Sequence, residues 1–385
     1  MDSHKIIENF NRRFSGKPVI IRSPGRINLL GEHVDYNDGI VLPAAIDKAI
    51  WIGVAATESD ESTIYAIDLD ESFSFSMDKI ERSAIDWPNY VLGVLDQLIR
   101  NKYEFSNFNA VFGGNIPLGA GLSSSAAIEC GFLIALKELF TLDLDLLSIA
   151  KMGQLAEHNY VGTKCGIMDQ FANVFGKENH IIRLDCRSLE YSLHQLALGS
   201  FNLILLDTGV KHSLAESAYN KKREQCEEGV KILSNKFITI KSLRDCDKTQ
   251  LESVHHEMTE DVYKRCYYVV TEMRRVELAI VALESGNLND LGSLMYETHR
   301  GLSEYYEVSC DELDFLVNEA RSFGALGSRM MGGGFGGCTL NLVKISEMKN
   351  FVQHLSNRYR DKFNLNLQAF PVTISDGTSI FTPDH

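Results

Sequence analysis

Pro117-Leu118-Gly119-Ala120-Gly121-Leu122-Ser123-Ser124-Ser125-Ala126-Ala127 opens an apolar helix that the sequence carries on through Phe140. A glycine-bearing turn that feeds a helix start leaves backbone N–H groups unpaired, beside the positive end of the helix dipole. Such a turn receives anions. The three serines add hydroxyl donors, and one of them can also ligate magnesium. No Lys or Arg occurs between Lys102 and Lys137, so this is not the lysine-bearing loop G-x-x-x-x-G-K-[ST]. The plain alternative is a helix cap, because serine before an apolar helix is what capping favours. Two glycines followed by three serines exceed what a cap needs, and phosphate binding is the better reading.

Two further segments are unusual. Upstream, PGRINLLGEHVDYN (24–37) crowds a guanidinium, two carboxylates, an imidazole and two amides between glycines and aliphatics. Recognition of a polyol needs that variety, since carboxylates accept from sugar hydroxyls while His and Asn can donate. The alternative is a polar loop whose carboxylates cap a helix or pair with Arg26. Downstream, MGGGFGGC (331–338) has five glycines in six positions, which costs entropy on ordering. Close backbone approach to a ligand or to another glycine loop is the natural use. Between them, GIMDQF (166–171) sets Asp169 among Ile167, Met168 and Phe171. A carboxylate there is a candidate base, but it needs a nearby cation to stay ionised. Taken alone, Asp169 reads as a helix-end residue and Glu157-His158 as a solvated helix face.

Around these segments the periodicities alternate. Strands are expected at 19–23, 49–57, 63–67, 109–112, 180–185, 202–206, 338–343 and near 367–373. Helices are expected over the first 14 residues and at 89–100, 145–161, 214–234, 262–284, 288–300 and 310–322. This is an α+β chain in two lobes, 1–200 and 201–385, with no Pro/Gly/Ser-rich linker between them. The net charge of −14, with an acid excess in both halves, excludes a nucleic-acid clamp and a basic membrane-surface binder. Eight cysteines stand singly with no C-x-x-C, which speaks against a zinc site or a disulfide framework and for a reducing cytosol. The start of the chain lacks the apolar region of a signal peptide, and no apolar run approaches the roughly 18 residues of a membrane span. The expectation is a soluble cytoplasmic protein with no nucleic-acid, membrane or obligate protein partner.

Together the three segments resemble the signature motifs of the GHMP small-molecule kinases, and within them the galactokinase family. Residues 24–39 follow that family's P-G-R-x-N-L-x-G-E-H-x-D-Y-N-x-G. The other two follow P-x-G-x-G-L-S-S-S-A and G-G-G-F-G-G-C, in the same order. Trp87-Pro88-Asn89-Tyr90, CGIMDQF (165–171), DCRSL (185–189) and YNKKREQCE (219–227) agree as well, so the resemblance spans roughly residues 19 to 345. It implies a ribosomal-protein-like N-terminal α/β lobe and a ferredoxin-like C-terminal lobe, with ATP and a sugar held in the cleft. The reaction it implies is MgATP plus α-D-galactose giving α-D-galactose 1-phosphate and ADP. By resemblance, Asp169 is the catalytic carboxylate and Arg26 its partner. Glu32, His33, Val34, Asp35 and Tyr219 fall on sugar-contact positions, and Gly166 on the sugar-facing turn. Gly119, Ala120, Gly121, Leu122, Ser123, Ser124 and Ser125 form the phosphate loop, Ser125 and Glu157 are the magnesium ligands, and Trp87 and Tyr90 lie near adenine.

Two positions depart from the family pattern. Val34 and Met331 stand where the family usually has Thr, which removes any hydroxyl contact there without touching the reaction. Two other readings compete: a kinase for N-acetylgalactosamine, arabinose or another sugar, and a non-catalytic sugar and ATP sensor. No residue of the catalytic set is missing, which disfavours the sensor.

Overall fold

The first strand, Val19–Asn28, runs further than its sequence suggests. It continues through Pro24 with a bulge between Pro24 and Arg26. The neighbouring edge strand Ser379–Phe381 reaches only as far as Arg22, so beyond that point no ladder asks for the N–H that Pro24 lacks. This computed structural model describes residues 2–117, 119–211 and 215–382. Leu118 of the glycine–serine loop and the expected helix start at residue 214 lie outside the described residues.

The first sheet has the strand order Ser379–Phe381, Val19–Asn28, Pro43–Ala56, Phe108–Gly114, Ser62–Ala66, Glu71–Phe75. All its neighbours are antiparallel except Ser62–Ala66 beside Phe108–Gly114. Asp2 caps the helix Ser3–Arg13 by accepting the Lys5 N–H, and Phe10 of that helix packs against Ala55, Tyr65 and Val111. The main core forms where helices Pro88–Arg100, Ser124–Phe140 and Leu146–Ala156 join Ile52, Phe108 and Phe112. Helix Ser124–Phe140 is buried from Glu129 through Leu136, which is why its apolar residues show no single face.

A second, antiparallel sheet has the order Gly327–Met330, Gly336–Lys344, Phe201–Lys211, Gln368–Val372. Helices Asp311–Phe323 and Met348–Phe363 pack on it through Leu316, Phe351, Leu355 and Tyr359. Helices Ala215–Lys236 and Glu260–Glu284 build another core around Cys226, Leu233, Cys266 and Tyr268. A small sheet of Ile40–Val41, His180–Asp185 and Tyr191–Gln195 completes the α+β architecture.

The single helix expected over 145–161 is a correction. The α-helix is Leu146–Ala156, and a π-turn, Glu157–Val161, follows and ends at Gly162 in the left-handed region (φ 105°). A second π-turn, Gly301–Tyr306, follows helix Leu288–Arg300. Such turns are frequent at functional sites, and neither has a signal in hydrophobic periodicity. Among the described residues, no helix is long and apolar enough to cross a membrane.

Candidate active site

Gly121 and Gly332, from two of the glycine-rich segments, meet backbone to backbone. Both have positive φ, 75° and 79°. A Cβ on Gly332 would press on the Gly121 carbonyl, and one on Gly121 would meet the Met331 carbonyl. The expected approach of one glycine loop to another is therefore present. Glu32 secures it: Oε1 accepts the Gly332 N–H at 2.9 Å and lies 2.6 Å from the buried Arg329 guanidinium.

The bulge at Pro24 brings Arg26 under the same loop, where its N–H donates to the Leu122 carbonyl at 3.1 Å. Its side chain grips Asp169 as a fork, Nε to Oδ1 and Nη2 to Oδ2, each at 2.8 Å. Nη1 donates to the Gly121 carbonyl at 2.5 Å. Ser123 donates its hydroxyl to Asp169 Oδ2. Asp169 sits in the first turn of helix Met168–Phe175. Burial opposes the charge on Arg26, but Asp169 and Glu32 outweigh it and hold the guanidinium above its ordinary pKa. The cation that the sequence required beside Asp169 is thus Arg26.

These groups open on a cavity of about 500 Å³. Of the residues expected at the site, Arg26, Glu32, His33, Asp35, Trp87, Tyr90, Gly119, Gly121, Leu122, Ser123, Ser124, Ser125, Glu157, Asp169 and Tyr219 line it. Three do not. Val34 is buried in the core around Cys226, its side chain against Gly39. Ala120 is buried in the main core. Gly166 backs Asp35, and any Cβ there would overlap the Asp35 carboxylate. Asp68, Leu69, Thr163 and Cys165 also line the cavity; Asp68 and Leu69 in a turn and Thr163 in an irregular segment carry no motif that would single them out.

The lining divides by chemistry. Trp87, Phe112, Ala66, Leu69 and Ile50 give an apolar wall, with the Trp87 and Phe112 rings 5.8 Å apart and the Trp87 indole N–H bonded to Glu71. The polar wall holds Asp169, Asp35, Glu32, His33 and Tyr219, the last two with ring centroids 5.1 Å apart. His33 behaves differently from its sequence reading as a donor to a ligand. Nε2 faces the Gly333 carbonyl at 3.2 Å and Nδ1 faces the Tyr36 hydroxyl at 2.8 Å. Burial pushes its pKa down to about 3, so it is neutral, with the proton on Nε2 donated to Gly333 and Nδ1 accepting from Tyr36. Both ring nitrogens are engaged within the protein.

Burial, then the nearby Asp169 and Glu32, push the Asp35 carboxyl up to about 7. The folded chain therefore keeps a proton on Asp35 that the unfolded chain, with a value near 3.8, has already released. Stability falls as pH rises through that window and levels off above it. Asp35→Asn removes this term, so its unfolding temperature is expected to gain on the wild type between about pH 4 and about pH 7 in calorimetric scans. Parallel curves for the two proteins would show that Asp35 carries no raised pKa.

Glu157, at the start of the first π-turn, is raised to about 7 by burial and by Asp169, while hydrogen bonds from Cys165, Ser125 and Gln170 oppose the rise. Glu157 and Ser125 line the cavity together at the glycine–serine loop. One carboxylate and one hydroxyl fit Mg²⁺, which takes its remaining ligands from water and substrate phosphates. Among the described residues no group of three or more His, Cys, Asp or Glu is placed to hold a metal, and a magnesium site of this kind does not require one.

A glycine–serine loop at a helix start shares this cavity with the Arg26-clamped Asp169 and a wall of polar side chains, the arrangement expected of a small-molecule kinase. Family models for the GHMP kinases N terminal domain and the GHMP kinases C terminal match residues 89–177 and 279–361. The galactokinase galactose-binding signature matches residues 8–56. The galactokinase of Fusobacterium nucleatum is 38% identical over 380 residues, 97% of this chain and 98% of the relative. That of Roseiflexus sp. is 38% identical over 379 residues, 98% and 97% of the two chains. The crystal structure of Lactococcus lactis galactokinase complexed with galactose superposes with a TM-score of 0.94 at 32% identity, covering 97% of this chain and 98% of that one. The mevalonate kinase of Methanococcus jannaschii, at 20% identity over 94% of this chain and 99% of its own, shares the fold with a TM-score of 0.68. The chain belongs to the galactokinase family of the GHMP kinases.

Proposed function

We propose that this chain transfers the γ-phosphoryl group of ATP to the anomeric hydroxyl of α-D-galactose, giving α-D-galactose 1-phosphate and ADP. Kinship with curated galactokinases over nearly the full chain supports the reaction. The galactose complex of the Lactococcus lactis enzyme supports the sugar. The observation that carries the assignment of residues is the Arg26–Asp169 fork at the glycine–serine loop.

Phosphoryl transfer is catalysed mainly by positioning and charge neutralisation. Asp169 accepts the proton of the anomeric hydroxyl as that oxygen attacks phosphorus. Arg26 holds the Asp169 carboxylate in place through its fork and offsets charge developing on the transferred group. Glu32, Asp35 and Tyr219 contact the sugar. Gly166 leaves room for the Asp35 carboxylate behind it. His33, with its ring nitrogens engaged, offers the sugar its ring face and edge and holds loop 31–37 to Gly333. The N–H groups and hydroxyls of loop 119–125 receive the phosphates, and Trp87 and Tyr90 border the adenine. Ser125 and Glu157 would hold Mg²⁺, which supplies positive charge to the phosphates that the acidic chain itself lacks. The two lobes are assigned to 1–200 and 201–385. A cytoplasmic location is part of the same reading, supported by eight cysteines that are all free thiols.

The test is an ADP-release assay over a sugar panel with the wild-type protein. Galactose is expected to give the highest kcat/KM. Preference for N-acetylgalactosamine or arabinose would reassign the substrate, and saturable sugar binding without ADP release would make the chain a sensor.

A further inference from the structure

Helix Ser124–Phe140 buries one carboxyl group among its apolar side chains. Glu129 has no exposed surface, and nothing in the proposed reaction uses it. Its Oε2 accepts from Gln170 Nε2 at 3.1 Å, and its Oε1 has no hydrogen-bond partner. The same amide nitrogen donates to Glu157 Oε2 at 3.0 Å. A primary amide nitrogen has two hydrogens, so Gln170, itself fully buried, spends one on each carboxyl group. Space for the bridge comes from Gly153, where a Cβ would press on Cys130 Sγ and Gln170 Cγ at 3.1 Å. A half-satisfied buried carboxyl is expensive to fold around, and an apolar residue would suit this helix better unless the bridge has a use.

That use lies at Glu157. Its Oε2 is held by Gln170 and by the Cys165 thiol at 3.5 Å, and the carboxylate also bonds Ser125, the other residue assigned to the cation. We propose that Glu129 is a positioning residue for the divalent-cation site, acting through Gln170 to hold the Glu157 carboxylate in its ligating orientation. The proposal rests on the reading of Glu157 as a magnesium ligand. Partners that orient a metal ligand from behind typically change metal affinity by about 10- to 100-fold when removed.

The experiment titrates Mn²⁺ into the protein with ADP present, following free Mn²⁺ by electron paramagnetic resonance. Steady-state assays alongside it give the Mg²⁺ activation constant and the galactose KM. Glu129→Leu and Gln170→Leu should each weaken Mn²⁺ by about 10-fold and raise the Mg²⁺ requirement in parallel, with galactose KM unchanged. Glu129→Gln keeps an acceptor oxygen for the Gln170 amide and should bind Mn²⁺ as the wild type does. If Glu129→Leu fails to fold, Gln170→Leu and Glu129→Gln carry the comparison. Glu157→Gln separates the two levels of inference. Unaltered Mn²⁺ affinity in that variant overturns the ligand reading itself. Weakened binding there, with wild-type binding in both leucine variants, overturns the positioning role alone, as does a Glu129→Gln variant that is as impaired as Glu129→Leu.

Discussion

Asp169→Ala is expected to lower kcat for galactose phosphorylation by about 10³-fold or more, within the range that a positioned general base contributes. ATP binding should persist, because the backbone N–H groups of loop 119–125 and the apolar wall around Trp87 remain when Asp169 is truncated, although Ser123 and Arg26 lose their shared acceptor. Asp169→Asn is the stricter form of the test. It keeps the volume and hydrogen-bonding reach of the side chain while removing its capacity to take a proton, so the two variants should be similarly inactive. Nucleotide titration by calorimetry reports the binding term and single-turnover rates report the chemical one. Turnover near the wild-type level in either variant would remove Asp169 from the reaction.

Arg26 carries the second large effect. Its side chain is 5% exposed and makes two bonds to Asp169 and one to the Gly121 carbonyl. Arg26→Leu leaves the Asp169 carboxylate facing an apolar side chain, with Ser123 as its remaining donor. Breaking a buried pair from one side costs about 3–5 kcal/mol. Asp169 retains some solvent at 23% exposure, which places the expected loss nearer about 2–3 kcal/mol. The catalytic loss should be about 10²-fold at least. Arg26→Lys distinguishes charge from geometry, because an ammonium cannot reproduce a planar fork that holds a carboxylate and a carbonyl together. It should recover part of the stability in denaturant titrations yet remain more than about 10-fold below wild-type kcat. A lysine variant with normal kcat would mean that Arg26 acts only as a point charge.

What the sequence shows and what it hides follow from the range of the interactions. The functional segments at 24–37, 117–127 and 331–338 stand out because each spends glycines and polar groups that no regular element wants. Their meeting is a tertiary fact: Gly121 and Gly332 are far apart in sequence and touch through backbone alone. The strand expected to stop before Pro24 continues to Asn28, since the rule that expels proline from strands applies only where a neighbour needs its N–H, and the neighbour ends at Arg22. Val34 sits between two cavity-lining residues, yet its side chain joins the core against Gly39, and proximity in a motif does not reveal facing. His33 is legible as a site residue but not as a neutral ring with both nitrogens engaged, because its partners Tyr36 and Gly333 fix that state. Glu129 had a visible signal, an acid inside an apolar helix. Its partner Gln170 lies 41 residues away, so the bridge to Glu157 could be seen only in three dimensions.

In the proposed reaction the cavity around Asp169 brings the γ-phosphoryl group of ATP to the anomeric oxygen of galactose. Phosphorus NMR of the wild-type protein with MgATP and galactose tests it most directly, since the product's phosphorus couples to the proton on the carbon that bears it. α-D-Galactose 1-phosphate is expected to appear in step with ADP. ADP with inorganic phosphate and no sugar phosphate, or a phosphate carried on any other hydroxyl, would contradict it.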